Sequence, residues 1–125
     1  MRVLVVDPSA GMRRILVSTL KRQGYTDVVE AATGSEALAQ IDATPVDLVL
    51  GDWLTREGDG LEFIRAVRAA EGTRHLPVLM ITARATREHL LAAVRAGASG
   101  YIVKPFTPDI LHERIEALVG KATLG

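Results

Sequence analysis

Four polar side chains each close a short apolar run. Asp7 follows Val3-Leu4-Val5-Val6, Asp52 follows Leu48-Val49-Leu50-Gly51, Thr82 ends Val78-Leu79-Met80-Ile81, and Lys104 follows Gly100-Tyr101-Ile102-Val103. Apolar runs of this length read as strands buried on both faces, the kind parallel sheets use, and in open parallel sheets chemistry sits at the carboxyl ends of the strands. Side by side, the four groups converge on one rim. Two carboxylates, a hydroxyl and an ammonium suit the handling of phosphoryl groups with Mg²⁺, which takes one or two carboxylates, several waters and a substrate phosphate. Lysine neutralises phosphate oxygens as a point charge, and a carboxylate can itself attack phosphorus and carry an aspartyl-phosphate.

The elements that must position these groups are legible in chain order. Strands are expected over Arg2–Val6, Val28–Ala31, Val46–Gly51, Val78–Thr82 and Gly100–Val103. The first helix is capped by Ser9, carries Met12, Ile15, Leu16, Thr19 and Leu20 on its apolar face, and ends at Gly24. The second opens on the capping box Thr33-Gly34-Ser35-Glu36, with Ala37, Leu38 and Ile41 inward. The third runs from about Gly60 to before Gly72 with Leu61, Ile64 and Val67 on one face, and the fourth starts at Thr86, carries Leu90, Leu91 and Val94, and ends at Gly97. The last has Thr107 as N-cap, Pro108 at its first position and Asp109 in its first turn, and carries Ile110, Leu111, Ile115, Leu118 and Val119. Lys121–Gly125 is expected to fray. Five strands alternating with five helices over short connections argue for an α/β protein, a doubly wound parallel sheet with helices on both faces.

Length and composition narrow the function. The 125 residues make one domain, spanning 1–125, and 48% apolar with 24% charged residues is ordinary for a globular chain. A net charge of zero gives no electrostatic reason for nucleic acid or an anionic membrane as partner, and no run approaches the roughly 20 apolar residues of a membrane span. The absence of cysteine removes disulfides and thiol chemistry. A soluble cytoplasmic protein is expected, monomeric or weakly dimeric; its high Ala, Arg, Gly and Leu usage points to a GC-rich bacterium. His75, His89 and His112 share no metal spacing and read as surface residues, and Arg13, Arg14, Lys21 and Arg22 read as the solvated face of the first helix.

The chain resembles a response-regulator receiver domain, most of all the single-domain chemotaxis receivers, over essentially its whole length. The resemblance rests on Val3-Leu4-Val5-Val6-Asp7, Met12-Arg13-Arg14-Ile15, Gly51-Asp52-Trp53, Asp59-Gly60-Leu61, Pro77-Val78-Leu79-Met80-Ile81-Thr82-Ala83, Ala96-Gly97-Ala98-Ser99-Gly100-Tyr101 and Val103-Lys104-Pro105-Phe106, in order and at family spacing. It implies a flavodoxin-like (βα)5 fold with strand order 2-1-3-4-5. It implies Asp52 as acceptor of a phosphoryl group from a histidine kinase, with Asp7, Asp52 and the Leu54 carbonyl as Mg²⁺ ligands. Thr82 would hydrogen-bond the phosphoryl oxygen, Lys104 would pair with it, and a cis bond before Pro105 would aim Lys104. Tyr101 would be a rotameric switch, and the fourth helix, fifth strand and fifth helix would form the output face for a downstream protein. Leu90, Val103, Phe106 and Leu111 would belong to that face, with Arg87 and Arg114 at its rim.

Two departures bear on the site. The family usually has two adjacent acids after the first strand; here the pair is Asp7-Pro8, and the resemblance implies that the missing acid is the one that ligates Mg²⁺ directly while Asp7 acts more through water, so a weakened metal site is expected. Glu57 could reach in as a substitute, though a solvated loop acid is its simpler reading. The loop Leu54-Thr55-Arg56-Glu57-Gly58 lacks the usual proline, and Leu54 and Arg84 fill the positions that in the family tune access of water to the phosphoryl group. Trp53, beside Asp52, could report metal binding by its fluorescence. A pseudo-receiver that binds partners without phosphorylation is the alternative, with Pro8 as its support. A flavodoxin-like cofactor binder would need a hydroxyl- and glycine-rich phosphate loop where Asp7-Pro8-Ser9-Ala10-Gly11 stands. No enzyme with a diffusing substrate is indicated; any catalysis would be self-phosphorylation and self-dephosphorylation at Asp52.

Overall fold

The computed structural model describes residues 1–52, 59–83 and 86–124. Its elements alternate strictly: β1 (Arg2–Val6), α1 (Ala10–Arg22), β2 (Asp27–Ala31), α2 (Gly34–Ala43), β3 (Leu48–Gly51), α3 (Asp59–Ala69), β4 (Val78–Thr82), α4 (Arg87–Ala96), β5 (Gly100–Val103) and α5 (Pro108–Leu124). The strands form one parallel sheet in the order β2-β1-β3-β4-β5. This is the doubly wound arrangement expected from the sequence, with its direction of winding reversing between β1 and β3.

Alternation along each strand splits the core into two layers. Leu4, Val6, Val49, Val78 and Met80 point to the side covered by α2, α3 and α4, where they meet Ala37, Phe63, Ile64, Val67, Ala93 and Ala96. Val3, Val5, Leu48, Leu50, Leu79, Ile81 and Ile102 point to the side of α1 and α5, against Leu16, Leu20, Leu111 and Ile115. β1, β3 and β4 are buried on both faces almost throughout, which is why they read as unbroken apolar runs. The helix starts follow their caps: the hydroxyls of Ser9, Thr33, Thr86 and Thr107 accept from the N–H groups of Met12, Glu36, His89 and Ile110.

The structure corrects several boundaries and faces. β2 begins at Asp27, whose carboxylate pairs with Arg2 Nε at 3.2 Å. β3 begins only at Leu48, because the Asp47 side chain takes the Arg2 N–H at 2.7 Å. α5 continues through Leu124 where a frayed tail was expected. Of the apolar positions on α1, Ile15 is 57% exposed, and on α4 Leu91 and Val94 face solvent, leaving Ala93 and Ala96 as that helix's buried contacts. On α5, Ile110 is exposed. His75 and His112 lie at the surface; His89 is half-buried, with Nδ1 against the Thr86 hydroxyl.

One side chain joins three segments at the end of the sheet away from the polar rim. Arg68, in the last turn of α3, donates from Nε to Gly97 O at 2.8 Å, from Nη1 to Arg74 O at 3.0 Å and Leu76 O at 2.7 Å, and from Nη2 to Ser99 Oγ at 3.1 Å. Gly97 ends α4 with φ +116°, and a Cβ there would lie 2.6 Å from Arg68 Cγ, so glycine is needed on both counts.

Candidate functional site

The polar rim forms at the carboxyl ends of the strands, across the β1/β3 switch point. β1 and β3 run in register with Val6 opposite Gly51, and the Asp52 N–H donates to Val6 O at 2.9 Å. Gly51 has φ +149°, and a Cβ would lie 1.8 Å from Val6 O. Only glycine allows this approach, so Gly51 sets the separation of the two strand ends that carry the carboxylates. Its signal was present in the sequence, since a glycine inside a strand marks close backbone approach.

Asp7 is buried, 3% exposed, and fixed through its backbone and one carboxylate oxygen. Its N–H donates to Ala31 O at 3.1 Å, and its Oδ1 accepts from the Ser9 N–H at 2.8 Å. Its carbonyl accepts from Arg13 Nη1 at 2.6 Å. Arg13 is therefore no part of a solvated face: it is half-buried and its Nε also pairs with Glu30 Oε1 at 3.1 Å. That role left no pattern signal, because a helix-surface arginine looks the same whether it reaches inward or outward.

Lys104 follows β5, with its N–H donating to Thr82 O at 2.8 Å and a cis peptide bond to Pro105. Its Nζ lies 3.2 Å from Asp52 Oδ2 and 3.8 Å from Asp7 Oδ2. Thr82 ends β4 and is 1% exposed. The structure thus brings together Asp7, Asp52 and Lys104 by measured contacts and leaves Thr82 buried at the adjoining strand end. Leu54, with Trp53, Glu57 and Arg84, lies outside the described residues.

Burial pushes the Asp7 carboxyl above its ordinary value; the Ser9 N–H and the Lys104 charge pull it back, and the Asp52 charge adds to the rise. Asp7 Oδ2 is buried with no hydrogen-bond partner among the described residues. A buried carboxylate oxygen in that condition fits a cation. Two carboxylates meet the lower bound for Mg²⁺, which keeps most of its shell as water, and no group of three or more acidic, histidine or cysteine ligands occurs among the described residues.

The residues expected at the output face separate. Tyr101 is 41% exposed and, with Arg87, Leu90, Leu91 and Val94, lines a shallow apolar hollow between α4 and β5; Val103 is exposed on the same side of β5. Phe106 instead packs in the α1/α5 layer and lines a groove with Met12 and Ile15. Leu111 is fully buried, so it supports the sheet from beneath and presents no surface.

A doubly wound parallel sheet with a carboxylate–lysine cluster at its switch point defines the class. Within it, residues 3–116 match the response regulator receiver domain family. The chain is 42% identical to the chemotaxis protein CheY of Pseudomonas aeruginosa, covering 94% of this chain and 95% of that one. It is 42% identical to the chemotaxis protein CheY1 of Helicobacter pylori strain J99, over 96% and 98%. The solved structure of the chemotaxis protein CheY4 of Vibrio cholerae superposes with a TM-score of 0.85 at 34% identity, over 94% and 97%. The chain belongs to the response regulator receiver family, the CheY-like domains of two-component signalling.

Proposed function

We propose that residues 1–125 act as one cytoplasmic receiver domain whose Asp52 accepts a phosphoryl group from a phosphohistidine of a histidine kinase. The supporting observation is the Lys104 ammonium held 3.2 Å from Asp52 Oδ2 and 3.8 Å from Asp7 Oδ2 at the rim of the sheet. An Asp52 oxygen attacks phosphorus, the P–N bond breaks, and its electron pair returns to the imidazole; the product is an acyl phosphate on Asp52. Lys104 moves from the free carboxylate to the phosphoryl oxygens, and the Thr82 hydroxyl donates to another of them. Asp7, Asp52 and the Leu54 carbonyl are the residues that would hold Mg²⁺, which supplies charge neutralisation to the phosphoryl oxygens when bound.

Output follows from the register. Thr82 pairs with Val103 and Met80 with Tyr101 across β4 and β5. A pull on Thr82 is therefore transmitted next door to the strand that bears Tyr101, and the phosphoryl group biases an exposed against an inward Tyr101. The hollow of Arg87, Leu90, Leu91, Val94 and Tyr101 is the part of the α4-β5-α5 face that a downstream protein would read.

The test is binding of beryllofluoride, a mimic of the aspartyl-phosphate, with Mg²⁺, followed by the single tryptophan's fluorescence. The parent chain forms a saturable, slowly dissociating complex and Asp52→Asn forms none. A second reading is favoured by Pro8, which removes an acid from the site: a pseudo-receiver using the same face without phosphorylation. A folded parent chain indifferent to both reagents would select it.

A further inference from the structure

Asp7 is held more tightly than a turn residue needs to be. Pro8 carries no N–H and fixes its own φ, so Ser9 supplies the nearest donor downstream, and its bond to Asp7 Oδ1 closes an Asx-type turn. Ser9 caps α1 at the same time, and one turn along that helix stands Arg13. The Arg13 guanidinium spans two acceptors on different segments, with Nη1 on the carbonyl of Asp7, just past β1, at 2.6 Å and Nε on Glu30 Oε1 of β2 at 3.1 Å. With N–H, carbonyl and Oδ1 all engaged, Oδ2 remains as the buried oxygen without a hydrogen bond, 3.8 Å from Lys104 Nζ.

We infer that Arg13 is a positioning residue for the cation site: it locks the Asp7 backbone so that Oδ2 is presented in one orientation, and Glu30 neutralises the guanidinium so that the lock does not repel a divalent ion. The inference rests on reading Asp7 as a cation ligand. Its importance comes from Pro8, since a site with one acid fewer depends more on how well the remaining carboxylate is preorganised.

The sign of the effect separates this role from its rivals. Removing a positive charge near a cation site should tighten cation binding by simple Coulomb attraction, whereas removing a lock on the ligand should weaken it. The experiment measures Mn²⁺, an oxygen-seeking stand-in for Mg²⁺, by loss of the free-ion paramagnetic signal, with far-ultraviolet dichroism to show that each variant is folded. Arg13→Gln is expected to raise the Mn²⁺ Kd about tenfold, at the low end of what losing an outer-shell partner does to metal affinity. Arg13→Lys keeps the charge, loses the two-acceptor fork, and also weakens binding. Unchanged or tighter binding in folded Arg13→Gln, or full retention in Arg13→Lys, overturns the inference while leaving the phosphoacceptor reading standing. A folded parent chain that takes up no Mn²⁺ overturns the cation reading itself, and the role of Arg13 with it.

Discussion

Asp7 carries the clearest consequence at the scale of one residue. Its carboxyl is raised by burial, so the native state holds that proton more tightly than the unfolded chain does. Between the ordinary carboxylate value and the raised one, stability therefore falls as pH rises, and the cost is fully present above the raised value. Asp7→Asn removes the charge and that slope. It is expected to be more stable than the parent at neutral pH by about 1–2 kcal/mol, the scale of an unsatisfied buried polar group, and to lose any rise of its thermal midpoint with Mg²⁺. Urea denaturation from acidic to neutral pH, and thermal denaturation with and without Mg²⁺, check these; equal slopes in parent and variant would be the contrary result. The sequence made Asp7 visible as the acid closing a strand. It could not show which oxygen is engaged, because that depends on Ser9, Lys104 and Arg13 meeting it in space.

At the scale of elements, the strands and helix caps were legible because each has a local cause, while the strand order was implied by the family resemblance alone. Period-free apolar runs announce buried parallel strands, and Thr33-Gly34-Ser35-Glu36 announces a helix start. Less legible was which of several apolar residues a helix buries: Ile15, Leu91 and Val94 sit at helical spacing and still face water. Periodicity marks a stripe, and its edges are set by what packs across from it. By sequence Leu111 belongs both to the apolar positions of α5 and to the output face; the α5–sheet contact buries it completely, so only the first reading holds. Gly51 is where an element and the site meet. Gly51→Ala forces a Cβ to 1.8 Å from Val6 O at φ +149°. The expected loss is at least about 3 kcal/mol, because the β1–β3 pair must part for the side chain to fit. Denaturant midpoints measure it, and a loss under 1 kcal/mol, within the ordinary range of tolerated substitutions, would show that the strands separate easily.

For the whole molecule, the chemistry gathers at one end of the sheet while Arg68 gathers loops at the other. Deleting its donors releases α3, the chain before β4 and the turn before β5 together. Arg68→Lys, which keeps the charge and loses the fork, is expected to cost about 2–3 kcal/mol, the scale of one or two hydrogen bonds from a charged group. No sequence pattern announced this junction, since its acceptors are main-chain oxygens and one hydroxyl from two loops that meet the end of α3 only once the chain is folded.

Those acceptors are all neutral, and burial lowers the guanidinium's own pKa with no carboxylate beside it among the described residues. Dissolved ions screen charge from charge and act far less on a charge held by dipoles at contact distance. The penalty of Arg68→Lys should accordingly be the same in dilute buffer and in molar sodium chloride. The Lys104 cluster at the opposite end sets charge against charge at 3.2 and 3.8 Å, so a substitution there is expected to respond to added salt more than Arg68→Lys does, although its partial burial keeps that response small.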